Sequence, residues 1–255
     1  MRSFDYIESG KTLLTPHTTS LLAAIHEAKG RQSIQTTIRP DILGTLVAVA
    51  RIQSTDASNR IEGISTSDSR LNDLVSEKVT PRNRNEEEIA GYRDVLSAIH
   101  ESHDYIPITP NVILQLHRDL FRHTPLTVAG HFKDSDNVII ERDAHGTSTV
   151  RFAPPSALVT PELIERACSA YTQAIRDGHT DPLLAIAMFI LDFTCIHPFN
   201  DGNGRMSRLL TLLMLCRNGY MVGKYISIEH LIEQSKSTYY EALAASTQGW
   251  DDNAN

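Results

Sequence analysis

Three cysteines in 255 residues, with no metal-ligand spacing between them, exclude a disulfide framework and a thiolate metal site. Cys168, Cys195 and Cys216 therefore read as reduced thiols of an interior. The eleven histidines contain no HExxH pattern, so that zinc-site signature is missing as well. Basic residues are not in excess. With 24 Lys and Arg against 31 Asp and Glu the net charge is −7, which argues against nucleic acid as a partner of the chain as a whole. No apolar run is long and clean enough to span a bilayer, the strongest being short and interrupted by Asp192, and the start carries no basic, apolar leader. A cytoplasmic protein without a membrane partner is expected. Repeats and low-complexity stretches are also absent, and 41% hydrophobic residues suffice for one large core.

What is present is concentrated in nine residues, His197 to Arg205, which read HPFNDGNGR. Upstream, Asp181 to Ile196 is apolar on nearly every side and predicts a central buried helix. Downstream, Arg205 to Arg217, with Leu209, Leu210, Leu212, Leu213 and Leu215, predicts a second. Pro198 ends the first helix and the Gly202, Asn203, Gly204 turn opens the second. The loop thus delivers backbone N–H groups at a helix start, where they lack internal acceptors and carry partial positive charge. A phosphate suits that position. Arg205 and Arg208 add two cations on one helical face. Asp201 offers one hard oxygen ligand, and magnesium is commonly held by one or two carboxylates plus substrate phosphates. His197, with an ordinary pKa near neutrality, is placed to take a proton from a hydroxyl. Singly, Asp-Gly and Asn-Gly are ordinary turn formers and a histidine at a helix end is an ordinary cap. Together the parts point to phosphoryl or nucleotidyl transfer, with Phe199 as an anchor beneath the loop rather than a participant.

The string HPFNDGNGRMSR also resembles the signature of the Fic family, His-x-Phe-x-Asp/Glu-Gly-Asn-Gly/Lys-Arg-x-x-Arg, at every specified position. The resemblance implies a mainly α fold, a Fic-type helical bundle with a small β-hairpin flap, and a transferase that moves AMP from ATP to a Ser, Thr or Tyr hydroxyl of a protein target. It implies His197 as the base and Asp201 as the holder of Mg. Gly202, Asn203, Gly204 and Arg205 would contact phosphates, and Arg208 the terminal phosphate of ATP. A lysine in place of Gly204 marks the kinase-like branch, so Gly204 favours adenylyl transfer.

A second segment, Ser58 to Gly63, reads SNRIEG and resembles the family's inhibitory pattern Ser/Thr-x-x-x-Glu-Gly/Asn. From the residues alone, Ile42 to Ile52 is an apolar helical stretch, and Ser58 and Glu62 share a face if the helix continues. A routine surface helix stopped by Gly63 is the other reading. The resemblance implies that Glu62 pairs with Arg208 and takes the place of the terminal phosphate, leaving ATP in an unproductive pose.

Gly130 to Pro155 predicts a hairpin. Val138, Ile139 and Ile140 form a β-branched run, Ala144 to Gly146 a turn, and Val150 and Phe152 alternate before Pro154 and Pro155 end pairing. In the family this position is the flap, whose edge takes the target peptide by strand addition. Further helices are predicted over Ser20 to Ala28, Asn85 to Ser102, Pro110 to Phe121, Thr160 to Ile175, Ile228 to Ile232 and Ser237 to Ala245. The Glu cluster opening the Asn85 helix reads as dipole complementarity, and Tyr239 and Tyr240 resemble a Tyr-Tyr-x-x-Leu element near the family's adenine pocket. The expected organisation is an N-terminal arm over 1–39, an inhibitory helix and linker over 40–80, a core over 81–250 with the flap at about 130–155, and a polar tail over 251–255. Many family members continue into a winged helix; the residues after Trp250 stand about where such members leave the core, as a short member or a piece of a longer chain would.

Three functions fit these residues: a self-inhibited adenylyltransferase using ATP and Mg, a hydrolase removing AMP at the same site with Glu62 directing water, and a non-enzymatic nucleotide-binding module. Intact His197, Asp201 and both arginines count against the third. A homo-oligomer stays open.

Overall fold

Short polar residues and prolines set where the helices begin. The structure, a computed structural model, describes residues 2–38, 40–126, 129–142 and 148–251. Asp5 caps α1 (Tyr6–Thr12), which is followed by α2 (Pro16–Ile38), α3 (Pro40–Ile61) and α4 (Asp68–Val75). Asn83 caps α5 (Arg84–Ser102), and Thr109, with Pro110 behind it, caps α6 (Pro110–Leu120). The hairpin strands β1 (Ile139–Arg142) and β2 (Ser148–Phe152) come next, then α7 (Thr160–Asp177) and α8 (Pro182–Ile196), the latter capped by Asp181. After the loop come α9 (Asn203–Arg217), α10 (Val222–Tyr225), α11 (Ile228–Gln234) and α12 (Lys236–Thr247). No helix among the described residues is long and apolar enough to cross a membrane.

The two apolar runs read from the sequence form the centre. Phe189, Phe193 and Ile196 of α8 pack with Met206, Leu209, Leu210 and Leu213 of α9, all fully buried, while α7 covers α8 and α5 covers α9. The three thiols are free and buried in this region. Gly91 lets α5 and α6 meet, because a Cβ there would overlap the Leu120 carbonyl oxygen. Asp192 is wholly buried in α8 and accepts from Tyr6 Oη at 2.7 Å, Trp250 Nε1 at 2.6 Å and Arg2 Nε at 3.0 Å. Burial pushes its carboxyl pKa up, and Arg2 opposes that. Both described ends of the chain are thereby fastened to one buried carboxylate.

Several elements differ from the sequence reading. The arm is more helical than expected: α2 spans Pro16–Ile38, well beyond Ser20 to Ala28. Its polar residues surround the helix, so no apolar stripe marks its true length. Helices α1, α4 and α10 were not anticipated, being too short to carry a periodic signal. Helix α7 starts at Thr160 as expected but runs to Asp177, and the Thr160 hydroxyl bonds back to the Ser156 carbonyl. The hairpin is antiparallel, pairing Ile139 with Phe152 and Ile140 with Val150 across an irregularity. The turn expected at Ala144 to Gly146 and tail residues 252–255 lie outside the described residues.

Candidate active site

His197 ends α8 in the left-handed conformation, with φ of 50°, and its amide closes the helix on the Phe193 carbonyl. A non-glycine residue rarely adopts that conformation, so the surrounding contacts must hold it. From there the loop folds back on itself. Asn203 Oδ1 accepts the Phe199 amide at 2.9 Å and Asn203 Nδ2 donates to the Phe199 carbonyl at 2.7 Å, so this side chain braces the loop from inside. Phe199 is fully buried and stacks on His117 with ring centroids 3.7 Å apart. His117 Nδ1 accepts from the Gly130 amide, which leaves Nε2 protonated to donate to the Asp201 carbonyl at 3.1 Å. Gly202 takes φ of 79°, and a Cβ there would press on the Phe121 ring.

The two arginines of the loop have separate partners. Arg208 lies beneath Ser58 and Glu62: Nε donates to Ser58 Oγ at 2.8 Å, while Nη2 donates to the Ser58 carbonyl at 2.9 Å and to Glu62 Oε1 at 2.8 Å. Helix α3 does continue, ending at Ile61 with Gly63 at φ of 80°, so the four-residue spacing puts Ser58 and Glu62 on one guanidinium. A Cβ on Gly204 would overlap the Glu62 carboxylate oxygen, which places that carboxylate over the first turn of α9. Arg205 is 1% exposed, pairs with Glu88 of α5 at 2.7 Å and lies over the Phe121 ring. It does not line the cleft; a buried carboxylate beneath the loop holds it instead.

Glu62, Arg208, His197, Asn203, Gly204, Tyr239 and Tyr240 line one cleft of about 270 Å³, to which Ile139 and Phe152 of the hairpin add an apolar wall. Arg151 Nη2 donates to the Tyr240 carbonyl at 2.7 Å and fastens β2 to α12. Asp201 stands outside that cleft, its side chain 47% exposed. Its Oδ1 accepts the Gly202 amide, and Arg84 and Arg205 lie 3.6 and 3.8 Å away. No group of three or more His, Cys, Asp or Glu among the described residues could hold a metal by itself. A cation beside Asp201 would have to draw its other ligands from phosphates and water, as magnesium does.

Burial depresses the pKa of three histidines. Desolvation is the main cause in each, and His197, His117 and His100 are all lowered to about 4. For His197 the Lys133 ammonium adds to it, while Glu62 and the Thr194 backbone pull the other way; Nδ1 nonetheless has no partner at full hydrogen-bond geometry. His197 is therefore a neutral base at pH 7. Because these folded-state values lie below the unfolded value near 6.5, their stability contribution is complete above about pH 6.5 and is lost as pH falls toward 4. At about 1.36 kcal/mol per unit the loss is up to about 3 kcal/mol for each. Thermal unfolding at pH 7.5 and at 5 is expected to show a marked fall in Tm with proton uptake, and His100→Gln should reduce both. A transition unchanged between those pH values would contradict the burial of these rings.

Glu86, Glu88, His117 and Lys133 escaped the sequence reading. Glu86 and Glu88, taken for dipole complements, are buried ion-pair partners of Arg70 and of Arg205. Arg70 holds the Glu86 carboxyl down to about 2. The available signal was His117 on the apolar face of α6 between Ile113 and Leu120, where a polar ring must have partners.

Residues 107–215 match the family model described as the Fic/DOC family. Among curated proteins, the chain is 24% identical over 202 residues to the protein adenylyltransferase Fic of Nematostella vectensis, covering 75% of this chain and 42% of that protein. It is 28% identical over 127 residues to protein adenylyltransferase fic-1 of Caenorhabditis elegans, covering 49% and 22%. A Fido domain-containing protein of Dictyostelium discoideum is 37% identical over 90 residues, covering 34% of this chain and 58% of that one. The chain thus spans less than two thirds of each. Among solved structures, a Fic family protein from Desulfovibrio desulfuricans G20 superposes with a TM-score of 0.74 at 24% identity, covering 93% of this chain and 68% of that one. At that identity the likeness is one of fold. Family match and fold agree: residues 107–215 match the Fic/DOC family, and the chain shares the fold of Fic-family structures.

Proposed function

We propose that the chain is a self-inhibited protein adenylyltransferase that moves AMP from ATP to a Ser, Thr or Tyr hydroxyl of a protein target. The observation that carries this reading is the Glu62 carboxylate on Arg208, over Gly204 at the head of α9. An anion of the protein already sits where a phosphate is best received. The adenylyltransferase names of two relatives support the activity.

In the reaction the target hydroxyl oxygen attacks the α-phosphorus of ATP, the bond from that phosphorus to the bridging oxygen breaks, and pyrophosphate leaves. His197, neutral at pH 7, takes the hydroxyl proton. Backbone amides of Asn203 and Gly204 receive phosphate oxygens, joined by that of Gly202 if Asp201 Oδ1 turns from it to the metal, and Arg208 takes the terminal phosphate once Glu62 withdraws. Arg205 serves by holding the loop on Glu88. Asp201 is the carboxylate that would hold Mg, which supplies charge neutralisation of the phosphates when bound. Tyr239 and Tyr240, which line the same cleft, would take the adenine ring, and the β1–β2 edge would receive the target by strand addition. A second reading, hydrolytic removal of AMP, is favoured by the presence of Glu62 and His197 in the same cleft.

Labelled ATP tests the reaction class. With Mg, the Glu62→Gly variant is expected to transfer label from the α-phosphate to protein and none from the γ-phosphate, and Asp201→Asn in that background should lose the stimulation by Mg. Label arriving from the γ-phosphate would make the protein a kinase instead, and release of AMP from premodified protein by the wild type would bring the hydrolase forward.

A further inference from the structure

Lys133 is a lysine only 3% exposed, and no step of the transfer uses it. It lies in the segment between α6 and the hairpin. Its Nζ donates to the Ile196 carbonyl at 3.1 Å and to Asn137 Oδ1 at 3.0 Å, and its amide donates to the Pro198 carbonyl at 2.8 Å. Asn137 Nδ2 in turn donates to the carbonyls of His197 at 3.4 Å and Phe199 at 3.3 Å, and Asn200 Nδ2 donates to Asp134 Oδ1 at 3.0 Å. Four successive carbonyls, those of Ile196, His197, Pro198 and Phe199, are therefore gripped by two residues that lead into β1. The Ile196 carbonyl, which takes the ammonium, is one of the orphan carbonyls at the end of α8, where a cation is favoured.

We propose that Lys133, with Asn137, is a positioning residue for His197: it holds the left-handed turn that carries the imidazole and couples the hairpin to the base. The proposal rests on the reading of His197 as the base. The geometry gives it content, since a non-glycine residue at φ of 50° stays there only if its flanking carbonyls are fixed, and Lys133 and Asn137 fix them on both sides. The same ammonium opposes protonation of His197, whose other charged neighbour is Glu62 of α3. A target strand docking on β1 would press on the segment that holds the base.

The test uses the full chain in the Glu62→Gly background, which removes the carboxylate that opposes the effect of Lys133 on His197. Lys133→Met, Lys133→Arg, Asn137→Ala and His197→Asn are compared for transfer rate, ATP affinity by calorimetry, thermal transition, and the His197 titration followed by NMR of labelled imidazole. Lys133→Met is expected to lower kcat by about tenfold to a hundredfold, the scale of a misplacement of the base, with ATP affinity unchanged and the His197 midpoint raised. Lys133→Arg should restore both, and Asn137→Ala should give a smaller loss in kcat, which keeps the proposal testable if Lys133→Met fails to fold. A folded Lys133→Met that keeps its kcat, or one that loses ATP affinity by the same factor as kcat, overturns the proposal. If His197→Asn transfers AMP normally, the base assignment fails instead.

Discussion

Glu62→Gly is expected to label itself with AMP roughly 10- to 100-fold faster than the wild type under matched Mg and ATP. One competition sets this factor. Arg208 can present its guanidinium fork to one bidentate anion at a time, and its Nε and Nη2 are now taken by Ser58 and by Glu62, the latter at 2.8 Å. A hydrogen bond to a charged group contributes about 1.5–3 kcal/mol, and each ~1.4 kcal/mol is a factor of ten. Removing the carboxylate also clears the space over Gly204. Arg208→Ala breaks the same pair but deletes the phosphate ligand, so it should stay inactive. A purely structural ion pair predicts the opposite pattern, a similar loss of Tm in both variants and no gain of activity in either. The regulatory reading is sunk if Glu62→Gly, shown folded by its thermal transition, labels no faster than wild type.

Replacing His197 in that released background should lower AMP transfer by about 10²- to 10⁴-fold, the usual contribution of a general base, and leave ATP binding intact. The choice of substitution matters. At φ of 50° alanine would be strained, whereas asparagine tolerates the left-handed region and is the cleaner replacement. The first-turn amides of α9, Arg208 and Asp201 are untouched, so calorimetry should return the parental ATP affinity while transfer is lost. Loss of ATP binding in step with transfer would mean that the histidine shapes the loop and leaves proton transfer to another group.

The parts of this site that could be read from the sequence were local ones. A helix apolar all round, a Pro stop, a Gly-Asn-Gly start and a carboxylate four residues from a serine each declare themselves within a few positions, and the structure places them as α8, the loop, α9 and the end of α3. Arg205 was harder, because its pairing with Glu88 depends on how α5 crosses α9. Lys133 and Asn137 carry no motif; their role arises where a segment far upstream meets the end of α8. Long-range polar partners have no period to detect. The short helices α1 and α10 were invisible for another reason, since their formation rests on tertiary packing more than on propensity.

The Asp192 knot also has an optical consequence. Trp250 is the single tryptophan of the chain, and its indole is 1% exposed, edge-on to Phe152 and hydrogen-bonded to a carboxylate of the helix that ends in His197. Tryptophan fluorescence therefore originates from one place, between β2 and α8. Undocking of the C-terminal residues, protonation of Asp192 or displacement of Arg2 would each change the polarity around that indole. The native protein carries its own spectroscopic reporter of whether α8 is seated, with no label added.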